Sequence, residues 1–202
     1  MISSKLHDLF LKCKGISTDS RSIKKNSLFF SLKGENFDGN NYALEALKKG
    51  AKYAVVDNKN LSNTNFIKVE DALTSLQKLS TYHRSKLTKT KIIAITGSNG
   101  KTTTKELMHQ VLSSQYKTSS TIGNLNNHIG VPLTLLKIDK DSDFAIVEMG
   151  ANHIGEIKFL TNLIKPDIGY ITNFGKAHLE GFGGLNGVIK GKTELYRWLL
   201  KY

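Results

Sequence analysis

A glycine-rich segment that joins an apolar run to a helical pattern constrains the fold of this chain more than any other feature. The run Ile92–Ile95 predicts a buried strand, Thr-Gly-Ser-Asn-Gly at 96–100 a tight turn, and Lys101 to about Leu112 a helix. Backbone N–H groups in such a turn converge at the positive end of a helix, where a triphosphate binds. The segment therefore predicts an α/β domain with a nucleotide-phosphate loop.

Within this loop, Lys101 is expected to reach the β- and γ-phosphate oxygens and the Thr102 hydroxyl to coordinate Mg²⁺. The spacing departs from the usual GxxxxGK[ST] pattern, because Ile95 stands five positions before Gly100. An accidental glycine-rich turn is the alternative, and the ordered sequence of strand, glycines, Lys-Thr-Thr and helix argues against it. The predicted ATP-binding residues are Gly97, Ser98, Asn99, Gly100, Lys101, Thr102 and Thr103.

Two further apolar runs, Phe144–Val147 and Ile168–Ile171, predict strands of the same sheet. Continuous apolar strands of this kind are typical of a parallel sheet covered on both faces. Glu148 follows the first run and His178 lies after the second, at the ends of strands where ligands collect in open α/β sheets. Both are candidate metal ligands; a solvated glutamate and a structural histidine are the alternatives.

The loop Thr-Gly-Ser-Asn-Gly-Lys-Thr-Thr resembles the nucleotide loop of the Mur ligase family, which also includes folylpolyglutamate synthetases. Three blocks, at 123–136, 148–157 and 177–182, resemble the members that join D-alanyl-D-alanine to UDP-N-acetylmuramoyl-tripeptide in peptidoglycan precursor synthesis. The resemblance implies ATP-dependent peptide-bond formation through an acyl phosphate. One departure is His128, which stands where an acidic residue is often found after the two asparagines.

The same resemblance implies the roles of the site residues. Lys101, His178 and Lys192 would be catalytic, and Lys192, on a helix over Gly187 to Tyr196, matches the family's carbamylated lysine. A carbamate is an anionic oxygen donor suited to Mg²⁺, whereas an ammonium is not. The implied metal ligands are Thr102, Glu148, His178 and Lys192.

The amino-terminal part predicts a small α/β domain that resembles the UDP-binding domain of these ligases. A strand at Ser27–Leu32 precedes a loop at Lys33–Gly39, a helix over Tyr42–Lys49 capped by Asn41, and a strand at Tyr53–Val56. The residues that the resemblance assigns to the UDP substrate are Ser20, Asn36, Phe37, Asp38, Gly39, Asn126 and Asn127.

The domains are therefore expected at residues 1–88, which would bind the UDP-muramoyl peptide, and at 89–202, a P-loop-type parallel-sheet ATPase domain. A connecting helix over Leu73 to Leu87 leads to the boundary. Because the family has a third, carboxy-terminal domain, we expect the chain to stop inside the central domain. A complete enzyme is expected to be monomeric, and the fragment to self-associate through an unpaired sheet edge.

Composition narrows the class of protein. The chain carries 29 Lys and Arg against 17 Asp and Glu, a net charge of +12, but the lysines are scattered and accompany no aromatic-basic motif, so nucleic-acid binding is not expected. No stretch approaches the ~20 apolar residues of a membrane span, and Met1 to Lys12 hold no signal-peptide core. The single cysteine, Cys13, excludes an internal disulfide and suits the reducing cytoplasm.

Three alternatives remain open. A folylpolyglutamate synthetase is disfavoured by the amino-terminal domain, since those enzymes begin near their phosphate loop. A related Mur-type ligase that adds the third amino acid carries different residues around the corresponding glutamate and histidine. A non-catalytic module that binds a UDP-sugar or nucleotide is compatible with a shortened chain.

Overall fold

The computed structural model describes residues 3–201, which form two compact units, one ending at His83 and the other beginning at Arg84. Met1 and Tyr202, the outer ends of the two predicted domains, lie outside the described residues. The division lies inside the helix Ala72–Lys86, a few residues before the boundary expected from the sequence. The predicted α/β class is confirmed in both units, and the parallel sheet that was predicted for the second unit is found there.

A four-stranded parallel sheet forms the centre of the amino-terminal unit; its strands, in spatial order, are Ile16–Ser17 (β1), Leu28–Phe30 (β2), Tyr53–Val56 (β5) and Phe66–Lys68 (β6). The side chains of Phe29, Ala54 and Val56 pack with Ala43 and Ala46 into its core. The elements are α1 Ser3–Leu11, β1 Ile16–Ser17, β2 Leu28–Phe30, β3 Lys33–Gly34, β4 Phe37–Asp38, a 3-10 helix Gly39–Tyr42, α2 Ala43–Lys48, β5 Tyr53–Val56, β6 Phe66–Lys68 and α3 Ala72–Lys86.

The predicted loop at Lys33–Gly39 is in fact a small antiparallel hairpin, in which β3 pairs with β4 across a two-residue turn. The predicted helix over Tyr42–Lys49 is α2, Ala43–Lys48, but its N-cap is Tyr42 rather than Asn41, and Tyr42 makes no side-chain capping bond. A 3-10 helix, Gly39–Tyr42, precedes it, and there Asp38 Oδ1 accepts from Asn40 N at 2.9 Å. Gly39 N donates to Leu32 O at 2.9 Å, a close backbone approach at the start of this turn. The chain is thus already helical at Asn41, which leaves that residue no capping position.

A second parallel sheet forms the centre of the other unit; its strands, in spatial order, are Ile168–Ile171 (β10), Lys91–Thr96 (β7), Phe144–Glu148 (β9) and Thr118–Ser120 (β8). The elements of this unit are β7 Lys91–Thr96, α4 Lys101–Ser113, β8 Thr118–Ser120, α5 Gly130–Leu135, β9 Phe144–Glu148, α6 Glu156–Ile164, β10 Ile168–Ile171, α7 Leu179–Phe182, α8 Leu185–Lys192 and α9 Glu194–Leu199.

Helices cover both faces of this sheet. Ile92, Ala94 and Val147 face a core shared with α6, whereas Ile93, Ile95 and Ile146 pack against Met108 and Leu112 of α4. Alternate residues of β7 and of β9 therefore point into two different apolar layers, which explains the continuous apolar runs of these two strands.

The helix predicted over Gly187 to Tyr196 is two helices, α8 and α9, separated at Thr193. Lys192 is consequently the last residue of α8, a position from which its side chain can reach the phosphate loop. Within residues 3–201, none of the helices has the length and apolar character that crossing a membrane would require.

Candidate active site

The carboxyl ends of three neighbouring strands meet at one edge of the second sheet. β7 lies between β9 and β10, all parallel, so the segments after Thr96, Glu148 and Ile171 leave the sheet on the same side. Open α/β sheets bind their ligands at such an edge. The strand order thus brings together the two segments in which the sequence predicts metal ligands and the predicted phosphate loop.

Two glycines give the phosphate loop its backbone path. Gly97 has φ 149° and Gly100 has φ 76°, both unfavourable for residues with a side chain. A Cβ on Gly97 would lie 1.8 Å from the Thr172 hydroxyl, so the segment that follows β10 packs directly against the loop. Gly100 is the residue from which helix α4 starts, and the helix N-terminus therefore faces the loop.

The segment after β10 fixes the loop from the other side. Thr172 Oγ1 donates to Asn99 O at 2.6 Å, Asn173 Nδ2 donates to the same oxygen at 3.2 Å, and Asn99 N donates to Asn173 Oδ1 at 3.1 Å. Ser98 Oγ donates to Gly175 O at 3.1 Å. Neither Thr172 nor Asn173 was among the predicted site residues, although their place directly after a strand was a usable signal.

Lys101 folds back over the loop that it follows. Its Nζ donates to Gly97 O at 2.8 Å and to Ser98 O at 3.3 Å. Burial lowers the pKa of Lys101, and the nearby carboxylate of Glu148 opposes that shift. The ammonium is therefore held beside the loop, at the position from which a lysine can contact a bound phosphate. Thr103, on the same first turn, is exposed.

Glu148 is a buried acidic side chain at this edge, and two side-chain hydrogen bonds hold its carboxylate. Only 2% of it is exposed; Oε2 accepts from Thr102 Oγ1 at 3.0 Å, and Oε1 accepts from Asn126 Nδ2 at 2.9 Å. Its backbone N–H donates to Thr121 Oγ1 at 2.9 Å. The two predicted metal ligands Thr102 and Glu148 are thus in direct contact.

A cavity of about 640 Å³ opens beside these groups. Its lining includes the basic side chains of Lys101, Lys192, His128 and His178, the acidic side chain of Glu156, and the apolar side chains of Ile154 and Phe159. The two lysines suit an anionic group such as a phosphate or carboxylate. The complete lining is Gly97, Lys101, Asn126, Asn127, His128, Gly150, Ala151, Asn152, Ile154, Gly155, Glu156, Phe159, Leu160, His178 and Lys192.

Lys192 reaches the same carbonyl as Lys101. Its side chain is 2% exposed, its Nζ donates to Gly97 O at 3.1 Å, and it lies 5.5 Å from the centre of the Phe182 ring. Burial, followed by the positive charge of Lys101, lowers the pKa of Lys192 to about 8. At pH 7.4 about one fifth of such an amine is uncharged, compared with about one in a thousand for a lysine of ordinary pKa.

His178, the remaining predicted catalytic residue, lines the cavity from the segment before α7, where it is exposed and has φ 54°. Among residues 3–201, no group of three or more His, Cys, Asp or Glu side chains is arranged to hold a metal ion. The oxygens of Thr102 and Glu148 would have to be completed by other donors. That is the usual situation for Mg²⁺, which keeps waters and binds substrate phosphates.

The asparagines of the 123–136 block hold the backbone around the cavity. The Asn126 side chain donates to Glu148 Oε1, and the Asn126 carbonyl accepts from Gly150 N at 2.7 Å. Asn127 Oδ1 accepts from Ile129 N and Gly130 N, at the start of α5. Both were assigned to the UDP substrate from the resemblance, and the structure gives both side chains internal partners.

The amino-terminal unit has a cavity of its own, of about 490 Å³, lined by Thr18, Asp19, Ser20, Arg21, Phe37 and Tyr42. Ser20 and Phe37 were predicted from the sequence; Tyr42 was not, and its ring stacks on Phe37 with centres 5.3 Å apart. Of the other residues assigned to the UDP substrate, Asn36 is exposed in the hairpin turn and Asp38 caps the 3-10 helix. Gly39 is buried, and a Cβ there would lie 2.5 Å from Leu32 O.

Comparison with known proteins gives consistent matches along the chain. Residues 95–202 match the model of the Mur ligase middle domain, and residues 12–114 match that of the Mur ligase family, catalytic domain. The chain is 41% identical over 189 residues to the UDP-N-acetylmuramoyl-tripeptide–D-alanyl-D-alanine ligase of Bacillus subtilis, covering 92% of this chain and 41% of the relative.

Two solved structures are similar to the described fold. A crystal structure of MurF from Acinetobacter baumannii superposes with a TM-score of 0.88 at 36% identity, covering 98% of this chain and 46% of that one. MurF ligase from Thermotoga maritima in complex with ADP gives 0.82 at 31% identity, with coverages of 94% and 44%. The chain therefore spans less than half the length of the relatives it matches.

Proposed function

This chain belongs to the Mur ligase family, and we propose from that premise that the complete protein is an ATP-dependent ligase that joins D-alanyl-D-alanine to UDP-N-acetylmuramoyl-tripeptide. The observation that carries the proposal is the arrangement at the sheet edge, where a phosphate loop, Lys101, Glu148 and Lys192 meet beside one cavity. Similarity to ligases of that name and to a MurF bound to ADP supports the same reaction.

We assign the phosphate-binding role to residues 97–103 and the charge that reaches the phosphates to Lys101. In the described structure this ammonium donates to two carbonyls of its own loop. A bound polyphosphate is a stronger acceptor than a carbonyl, since hydrogen bonds between charged partners are shorter and about twice as strong. Lys101 would therefore exchange these contacts for phosphate oxygens when the nucleotide binds.

Mg²⁺ fits the oxygen donors that face this loop. Thr102 and Glu148 supply one hydroxyl and one carboxylate, the hard oxygen donors that the ion prefers. The ion would neutralise the charge that accumulates when a carboxylate approaches a polyphosphate. His178 and Lys192 line the same cavity, and we assign to them the role of orienting the terminal carboxylate of the tripeptide.

We propose that Lys192 becomes carbamylated. CO₂ adds only to an uncharged amine, and the lowered pKa of Lys192, about 8, provides one near neutrality. The change would also remove a cation from beside Lys101, with which Lys192 shares the carbonyl of Gly97. The resulting carbamate would be an anionic oxygen donor in a place that is otherwise strongly positive.

We assign the UDP end of the substrate to the cavity of the amino-terminal unit. The stacked rings of Phe37 and Tyr42 offer a flat apolar surface for a pyrimidine base. Arg21, which pairs with Asp19 at 2.8 Å, would exchange this partner for a diphosphate. Since ATP and such nucleotide-linked precursors are made in the cytoplasm, and a lone cysteine suits that compartment, we place the protein there.

For the 202-residue chain itself we propose substrate binding without ligation. Because it spans 41% of the curated relative, the surface that would hold D-alanyl-D-alanine is expected in the part of the relatives that it does not match. A chain of this extent would bind nucleotide and UDP-peptide without joining them, since orientation of both reactants supplies much of the rate.

The test is phosphate release by the complete protein with ATP, Mg²⁺ and UDP-N-acetylmuramoyl-tripeptide, with and without D-alanyl-D-alanine. We expect release that requires both substrates, and its loss in Lys101→Ala with the unfolding midpoint unchanged. Phosphate release that is indifferent to D-alanyl-D-alanine, or requires a single amino acid instead, would contradict the proposed reaction.

A further inference from the structure

Helix α4 carries a buried lysine on the face where apolar residues are expected. Met108 and Leu112 pack from this helix against Ile93, Ile95 and Ile146 of the sheet. Lys105 precedes Met108 by three positions and Leu112 by seven, so it lies on the same face of the helix. Its side chain is 1% exposed, its Nζ donates to Thr121 O at 2.6 Å, and Glu106 Oε1 lies 2.9 Å away.

Packing alone does not account for this residue. Burying an ammonium is costly unless it is well paired, and the carboxylate beside it belongs to Glu106, whose side chain is 59% exposed. A methionine would fill similar space at this position without that penalty. The charged contact to the Thr121 carbonyl is therefore the feature that calls for an explanation.

Thr121 connects this lysine to Glu148. The Thr121 hydroxyl accepts the backbone N–H of Glu148 at 2.9 Å, and Thr121 N donates to Ile146 O at 3.0 Å. The same helix holds the carboxylate of Glu148 through Thr102 Oγ1 at 3.0 Å. Thr102 and Lys105 are three residues apart, so one face of α4 holds both the side chain and, through Thr121, the backbone of Glu148.

We propose that Lys105 is a positioning residue for the cation site: by fixing Thr121, it orients the Glu148 carboxylate toward Mg²⁺ and the phosphate loop. The inference rests on the proposed function, because it assumes that Glu148 faces a metal–nucleotide complex. Groups that orient a metal ligand typically contribute 10–100-fold to metal affinity. Lys105 therefore acts on the cation through Glu148 and touches no substrate.

The test measures ADP binding to the protein as a function of Mg²⁺ concentration, by calorimetry, for Lys105→Met. We expect the Mg²⁺ midpoint to rise about tenfold, while ADP affinity without Mg²⁺ and the urea midpoint of unfolding stay at their original values or higher. Glu106→Gln is the matched control, since it removes the exposed partner and leaves the contact to Thr121; its Mg²⁺ midpoint should be unchanged.

Thr121→Val gives an independent test of the same link, because it removes the hydroxyl that accepts Glu148 N and keeps the side-chain volume. It should raise the Mg²⁺ midpoint in the same direction, and it decides the question if Lys105→Met does not fold. Unchanged Mg²⁺ midpoints in the folded variants, or an equal loss of ADP affinity at every Mg²⁺ concentration, would overturn the inference. Absence of ADP binding by the unsubstituted protein would instead contradict the proposed function itself.

Discussion

Replacing Gly97 by alanine should break the phosphate loop, and the structure allows the effect to be estimated. The residue has φ 149°, where an alanine backbone is strained by about 1–3 kcal/mol. The new Cβ would lie 1.8 Å from Thr172 Oγ1, so that hydroxyl must move and give up its hydrogen bond to Asn99 O, which contributes about 1 kcal/mol. The sum is about 2–4 kcal/mol.

Urea unfolding and ADP titration of Gly97→Ala measure this effect. With a slope of about 2 kcal/mol/M the midpoint should fall by about 1–2 M, and ADP should bind more weakly because the loop can no longer close on its phosphates. The double variant Gly97→Ala/Thr172→Ala removes the clash with the hydroxyl, so relative to Thr172→Ala it should keep the backbone strain and the tight contacts of the new Cβ, 3.0 Å to the Cβ and 3.1 Å to the backbone N of residue 172.

Gly123→Ala is the matched control for a positive φ without a close neighbour. Gly123 has φ 56°, and no atom lies within 4 Å of a Cβ placed there. It should lose about 1–2 kcal/mol and bind ADP normally. Equal midpoints and equal ADP affinities for Gly97→Ala and the unsubstituted chain would refute the reasoning about the loop.

Three further predictions concern the charged groups and the extent of the chain. Glu148→Gln, which removes one charged oxygen donor and preserves volume, should raise the Mg²⁺ requirement, and an unchanged Mg²⁺ titration would count against the metal role. Lys192→Ala in the complete protein should lose activity that short carboxylates partly restore, and rescue by small amines would argue against the carbamate. In the unsubstituted protein a ¹³CO₂-derived carbamate signal should grow as pH rises from 7 to 9, because deprotonation at a pKa of about 8 frees the amine. The 202-residue chain should bind the UDP-muramoyl peptide in calorimetry and form no peptide bond, and ligation at ordinary enzymatic rates would show that the amine site lies within it.

Strands β5, β7 and β9 were predictable because nearly all of their residues are buried, which leaves continuous apolar runs in the sequence. The apolar runs at Tyr53–Val56 and Ile168–Ile171 coincide with β5 and β10 at both ends. Strand β8, Thr118–Ser120, has no such run, since its residues are polar and only half-buried. It is a strand because it pairs with β9, a long-range contact that leaves no local pattern.

The candidate site also has a part that could be predicted from the sequence and a part that could not. Local spacing was enough to predict the loop and to place Glu148 at a strand end. The groups that hold Glu148, namely Asn126 and Thr121, lie more than twenty residues earlier, and Lys105 reaches it only through Thr121. Such contacts depend on strand order and helix packing, which a single sequence does not encode as a short motif.

The most direct test of the account is oxygen transfer during ligation by the complete protein. UDP-N-acetylmuramoyl-tripeptide would be labelled with ¹⁸O in both oxygens of its terminal carboxylate and supplied with ATP and D-alanyl-D-alanine. If that carboxylate attacks the γ-phosphorus and the amine then displaces phosphate, one ¹⁸O must remain in the new amide carbonyl and the other must leave in inorganic phosphate. Mass spectrometry should therefore find one labelled oxygen in the phosphate for each peptide bond formed. Unlabelled phosphate, released while the peptide bond forms, would contradict the proposed reaction.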